Sequence, residues 1–354
     1  MLHQHDLGLY EKALNPALSW LDRLSTAKSL GFDFVEISID ESDERLARLD
    51  WSPAERAALH QAIRESGVPL RSMCLSAHRR FPFGSADPDI RARAYDIMAK
   101  AVDFALEFNI RVIQLAGYDV YYEDSTEESR QAFLEGLQWS CRLAEQKQLM
   151  LAMEIMDTPF LNSITKNLWY EQQLRSPWYA VYPDLGNLSA WGNDVERELE
   201  KGRGSIVAVH VKETLAVRPG FPGKFKCVPF GTGCVDFSAC FRKLEELQYK
   251  GPYLIEMWYD PQQDNLHEIT AARKFVEEQY RKALAALKEE GEKPLNITWA
   301  LTTAAPLRKP PFTAKTASAR ASPPQRPPCW FPAPVLQSAT WRRCGRPIAP
   351  LSAM

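Results

Sequence analysis

The chain alternates short apolar runs with longer stretches whose apolar residues recur at helical spacing, and it does so eight times. Runs of four to eight β-prone residues read as buried strands. Apolar residues at i, i+3, i+4 and i+7 read as amphipathic helices. Strands are predicted at Leu7–Tyr10, Phe32–Ile39, Leu70–Ser76, Arg111–Ala116, Leu149–Met156, Tyr179–Pro183, Ile206–Val211 and Tyr253–Trp258. Helices are predicted over Leu18–Leu30, Pro53–Ser66, Asp89–Phe108, Glu127–Lys147, Leu168–Leu174, Val195–Lys201, Phe237–Leu247 and Asn265–Lys288. The second of these has Asp50 or Ser52 as its cap and Gly67 as its stop. Eight βα units match the usual size of a (β/α)8 barrel. A doubly wound open sheet is the rival, but no Gly-rich dinucleotide turn follows the first strand. The expected fold is therefore α/β, a (β/α)8 TIM barrel over residues 1–290 with no second domain. Polar stretches downstream of strands, such as Asp40–Asp50 and Leu215–Val235, would decorate the catalytic face.

Past about Gly291 the pattern stops. The stretch from Glu292 to Met354 holds twelve of the 25 prolines and nine Lys or Arg against one acid, with neither helical nor strand periodicity. Such a segment cannot bury enough apolar surface to offset its ordering entropy, so a disordered tail over 291–354 is expected. A change of reading frame would account for the abruptness, and the coding DNA read in other frames would reveal it.

Over the whole chain, a composition of 45% hydrophobic and 25% charged residues is that of an ordinary globular protein. A net charge of -2 gives no electrostatic basis for binding nucleic acid or an acidic membrane. No apolar run approaches the ~20 residues that span a bilayer, and the N-terminus lacks the apolar core of a signal peptide. Seven cysteines without a CxxC pair point to reduced thiols in a cytoplasm.

Candidate chemistry is concentrated in the last four strands. Leu-Ala-Met-Glu154, Val-Tyr-Pro-Asp184, Val-Ala-Val-His210 and Leu-Ile-Glu256 each end an apolar run on a metal-type ligand. A charged group inside an apolar strand is costly unless paired or coordinated. Four in succession at one barrel mouth form an oxygen-rich site for a divalent cation such as Mn, Zn, Co or Mg. A single strand-end glutamate could equally be salt-bridged, and His210 alone could be a satisfied core histidine. The aligned series favours ligands.

Longer runs carry a resemblance. They are Leu-Gly-Leu-Tyr-Glu-Lys-Ala-Leu (7–14), Gly-Phe-Asp-Phe-Val-Glu (31–36), Ser-Met-Cys-Leu-Ser-Ala-His-Arg-Arg-Phe-Pro (72–82) and Ile-Gln-Leu-Ala-Gly-Tyr-Asp-Val-Tyr-Tyr (113–122). The second half adds Met-Glu-Ile-Met-Asp (153–157), Tyr-Pro-Asp-Leu-Gly-Asn-Leu-Ser-Ala-Trp (182–191), His-Val-Lys (210–212) and Leu-Ile-Glu-Met-Trp (254–258). Residues 7 to about 288 resemble the L-ribulose-5-phosphate (L-xylulose-5-phosphate) 3-epimerases of ascorbate and pentose catabolism, a family of xylose-isomerase-like barrels. The resemblance implies metal ligands at Glu154, Asp184, His210 and Glu256. There are departures. The family's Pro-Phe-Gly-Glu-Gly loop reads Pro229-Phe230-Gly231-Thr232-Gly233 here, Glu213 stands where an aspartate is common, and the tail has no counterpart.

Inverting C3 of a ketose phosphate means removing a proton beside the C2 carbonyl and returning one from the other face. A divalent ion would stabilise a cis-enediolate, and two bases are needed, one on each side. Glu154 and Glu256 are the candidates. Lys12, His78, Arg79 and Lys226 are candidate phosphate ligands, and Lys224 lies near the last of them in sequence. Lys212, Asn187, Glu36 and Gln114 are candidate partners for substrate oxygens, with Tyr118 and Trp258 as pocket walls. Asn187 stands where related free-ketose epimerases carry a histidine. The expected partner is a small ketopentose phosphate. A homodimer stays open, since no interface is legible. A ketose–aldose isomerase would use the same ligands, an apurinic-site endonuclease would need more than six histidines and a basic face, and an inactive binding protein is the third reading.

Overall fold

Eight parallel strands lie in the order β6-β5-β4-β3-β2-β1-β8-β7. They are β1 Leu7–Tyr10, β2 Phe34–Ile39, β3 Leu70–Leu75, β4 Val112–Leu115, β5 Met150–Glu154, β6 Tyr179–Tyr182, β7 Val209–Val211 and β8 Tyr253–Ile255. Residue 2 and residues 4–292 are described in this computed structural model. Of its two compact units, Met1–Leu295 and Asn296–Met354, the second lies wholly outside the described residues, and with it nearly all of the expected tail.

The two ends of the strand order meet through isolated bridges. Val181 bridges Ile206 and Asp184 bridges His210, both parallel. The offset grows from 25 to 26 residues between these bridges, so one residue is extra on the β7 side. Pro183 has no N–H to give a regular ladder. Its carbonyl accepts from His210 N at 3.0 Å instead. This explains why β7 is shorter than the predicted run from Ile206: that run enters the seam, where regular pairing fails. Asp184 and His210 therefore face each other across the line that closes the barrel.

Among the described residues, ten α-helices surround the strands: α1 Trp20–Ser29, α2 Asp43–Leu46, α3 Pro53–Ser66, α4 Pro88–Glu107, α5 Glu127–Lys147, α6 Ile164–Leu174, α7 Leu185–Ala190, α8 Val195–Lys201, α9 Phe237–Glu246 and α10 Asn265–Glu292. The start of α3 is fixed by Ser52, whose hydroxyl accepts from Glu55 N while Glu55 caps Ser52 N, with Pro53 in the first turn. Gly67 at φ 70° ends it. Two helices were not predicted, α2 and α7, because four- and six-residue helices show too little periodicity. The strands and the inner faces of the helices form one extensive apolar core.

Candidate metal centre

The four polar strand ends converge. Glu154, Asp184, His210 and Glu256 each offer one ligand atom, and these atoms lie within 4.8 Å of one another, all in buried residues. Glu154 closes β5, while Asp184, His210 and Glu256 lie at the downstream ends of β6, β7 and β8. His210 Nδ1 lies 3.1 Å from Glu154 Oε1, 3.7 Å from Glu256 Oε2 and 3.8 Å from Asp184 Oδ2.

Asp184, His210 and Glu154 are each aimed by a second contact. Asp184 is also the cap of α7, and its Oδ1 accepts from Asn187 N at 2.7 Å, leaving Oδ2 to face the group. Gly186 permits that turn, because a Cβ there would lie 2.7 Å from Lys212 O. His210 Nε2 lies 3.0 Å from Glu36 Oε1, which would hold a proton on Nε2 and leave Nδ1 to turn toward a cation bound at the centre. Tyr182 Oη donates to the other Glu36 oxygen at 3.2 Å. Gln114 Nε2 donates to Glu154 Oε2.

These contacts relocate two expected substrate contacts. Glu36 and Gln114 are fully buried, and their bonds orient His210 and Glu154. His78 also departs from expectation. It is buried, bonds to Ala94 O at 3.2 Å and packs on Phe83 at 4.6 Å, away from any phosphate role. Burial lowers its pKa to about 4. An unfolded histidine would bind a proton near pH 6.5, so the unfolded state holds more protons between pH 4 and 6.5 and stability falls as pH drops through that window. The loss is worth about 3 kcal/mol by pH 4. Urea midpoints at pH 6.5 and 4.5 should therefore differ less for His78→Met than for the unmodified chain.

Burial dominates several carboxyl groups here. It raises Glu154, against the opposing pull of His210. It raises Asp184 to about 7, against Lys212. Glu256 is also penalised by burial, but Lys212 and His210 outweigh this and hold it at about 2. Glu154 and Glu256 thus start from opposite protonation preferences. Three carboxylates and an imidazole packed this tightly fit a hard divalent cation, which would relieve their mutual repulsion.

A pocket opens beside these ligands, lined by Lys12, Arg79 and Lys226 together with Asn187, Lys212 and Trp258. Lys12 pairs with Asp40 at 2.5 Å. Arg79 donates to Tyr118 Oη at 3.0 Å and lies 3.7 Å from Glu41. Lys226 has no carboxylate partner among the described residues; its ammonium lies 5.6 Å from the Trp258 ring. Burial lowers its pKa, and repulsion from Arg79 and Lys12 adds to this. Asn187 Nδ2 donates to Ile155 O at 2.8 Å, while its Oδ1 is buried without a hydrogen-bond partner among the described residues.

Two residues to which the sequence assigned no site role matter here. Asp157 lines the same pocket and accepts from Tyr118 Oη. Glu213 accepts from Gly231 N at 2.9 Å and Val235 N at 3.3 Å, tying the loop that follows β7 to the strand end. Thr232, the departure noted above, is exposed and bonds only Pro229 O through its hydroxyl, at 2.8 Å. Glu213 therefore anchors this loop without help from position 232. The position of Asp157, three residues past a strand-end glutamate, was the available signal for it.

Fold and site together define a xylose isomerase-like barrel, and the family signature of that description matches residues 24–290. UlaE of Escherichia coli O139:H28, an L-ribulose-5-phosphate 3-epimerase, is 56% identical over 280 residues, covering 79% of this chain and 96% of the relative. SgbU of Escherichia coli K12 is 55% identical over 282 residues, covering 80% and 99%. The chain belongs to the family of the L-ribulose-5-phosphate 3-epimerases. A solved L-ribulose 3-epimerase superimposes with a TM-score of 0.65 at 18% identity, covering 82% of this chain and 99% of that one, which supports the barrel fold.

Proposed function

We propose that this chain is a cation-dependent isomerase that interconverts L-ribulose 5-phosphate and L-xylulose 5-phosphate by inverting C3. The observation that carries this reading is the juxtaposition of a buried three-carboxylate and imidazole group with a pocket lined by the cationic side chains of Lys12, Arg79, Lys212 and Lys226. Glu154, Asp184, His210 and Glu256 would hold one divalent ion, as Mn, Zn, Co or Mg. When bound, that ion would supply Lewis-acid polarisation of the sugar's carbonyl.

The remaining steps belong to the chain's own groups. β5 and β8 are separated by two staves, β6 and β7, so Glu154 and Glu256 approach the pocket from different directions. One carboxylate takes the C3 proton and the other returns one to the opposite face. Lys226, Arg79 and Lys12 receive the phosphate, whose charge relieves their repulsion. Asn187 Oδ1 and Asp157 face the sugar hydroxyls. Glu36 and Gln114 position His210 and Glu154.

Chelator-treated protein resupplied with Mn²⁺ should convert L-ribulose 5-phosphate to L-xylulose 5-phosphate. Formation of an aldose phosphate instead, or turnover indifferent to chelation, would refute the reading. The catalytic unit is residues 1–290, which include the whole family match. A chain ended after residue 292 should retain kcat/KM within about twofold in the same assay. A larger loss would give the tail a part in catalysis.

A further inference from the structure

Lys212 is buried, and its ammonium sits 2.9 Å from Asp184 Oδ2 and 3.0 Å from Glu256 Oε2. These are the same two oxygens that face His210 Nδ1. Asp184 has no second oxygen to offer, since Oδ1 caps α7. Lys212 follows His210 by two residues at the end of β7, so both side chains leave the strand on one face. We propose that Lys212 and the divalent cation compete for one pair of carboxylate oxygens, so that Lys212 keeps the site assembled in the metal-free protein and yields when a cation enters. This rests on the reading of the four-residue group as a cation site.

The electrostatics run in one direction. Three carboxylates held within a few ångströms repel strongly in a buried setting, and one ammonium offsets part of that repulsion. Removing one partner of a buried ionic group destabilises it, because the remaining charge is left uncompensated. A divalent ion carries twice the charge and meets all four donors, so it displaces the ammonium from the shared oxygens. Lys212 then has a place to go. Its Nζ lies 5.8 Å from the Trp258 ring, on the wall of the sugar pocket, where an aromatic face accepts a cation. Cation entry would thereby deliver a positive group toward the substrate side.

The test compares the metal-free full-length chain with Lys212→Met and Lys212→Gln, by thermal unfolding and by calorimetric titration with Mn²⁺. Both variants should unfold at least about 5 °C lower without metal. Both should bind Mn²⁺ roughly tenfold more tightly or better, because the competitor is gone. A variant that folds only when Mn²⁺ is present gives the same result in stronger form. Unchanged or weaker Mn²⁺ affinity overturns the proposal, as does an unchanged metal-free melting temperature. Failure to fold even with saturating Mn²⁺ also overturns it, since the ion should replace the lost charge. Should the unmodified chain take up no divalent cation, the cation site itself is refuted, which is a separate outcome.

Discussion

Glu256→Gln should lower kcat for L-ribulose 5-phosphate by at least ~10³-fold while leaving the barrel folded. A glutamine keeps the length and shape of the side chain but removes its charge and its ability to accept a proton. General acid–base groups typically contribute ~10²–10⁴-fold. In this chain the same carboxylate also belongs to the cation group and pairs with Lys212, so the loss adds weakened cation binding to lost proton transfer. Glu154→Gln should behave alike, with one difference that identifies its setting. Gln114 already donates to Glu154 Oε2, and an amide at 154 can turn its NH₂ toward that donor, leaving two donors opposed. The two losses can be separated by supplying saturating Mn²⁺: if the metal is fully bound and kcat stays low, proton transfer is what was lost. Recovery of full kcat at high Mn²⁺ would reduce both residues to simple ligands.

The second large effect concerns the phosphate. Lys226→Ala should raise KM for L-ribulose 5-phosphate by ~10–100-fold, the range of a lost charge-assisted contact to phosphate. The same variant should change kcat/KM for unphosphorylated L-ribulose by less than about twofold. The reason is specific to this pocket. Lys226 is a partly buried ammonium without a carboxylate partner among the described residues, and burial with repulsion from Arg79 and Lys12 outweighs the pull of Asp157 and Glu256 on it. Such an arrangement is unfavourable by itself and becomes favourable when a dianion arrives. Arg79→Ala should show the same discrimination with an added kcat loss, because Arg79 also supports Tyr118 and, through it, Asp157. Equal losses on phosphorylated and free sugar would place the phosphate elsewhere.

Much of this was written in the pattern of the chain. Strand ends are legible because a charged residue closing an apolar run has few inexpensive explanations, and Glu154, Asp184, His210 and Glu256 bring one polar atom each to within 4.8 Å of one another. Helix limits were legible where a cap and a stop bracket a long periodic stretch, as Ser52 and Gly67 bracket α3. What pattern could not supply was depth. Every residue of β2 is buried, so alternation gives no sign of which way Glu36 points, and its place behind His210 emerges only from the closed barrel. His78 failed for a related reason. It stands in a run of three basic residues after β3, yet the short helical turn over Ser76–Arg79 sends its ring into the apolar interior and leaves Arg79 at the pocket. The seam between β6 and β7 was equally invisible, since it depends on a one-residue offset and on the missing N–H of Pro183.

The most direct test follows solvent hydrogen. With Mn²⁺-loaded protein in D₂O, deuterium should appear at C3 of the ketopentose phosphate, in step with epimer formation, and Glu154→Gln or Glu256→Gln should suppress it. Deuterium confined to C1, or epimer formed with C3 still fully protiated, would contradict a two-carboxylate inversion at this centre.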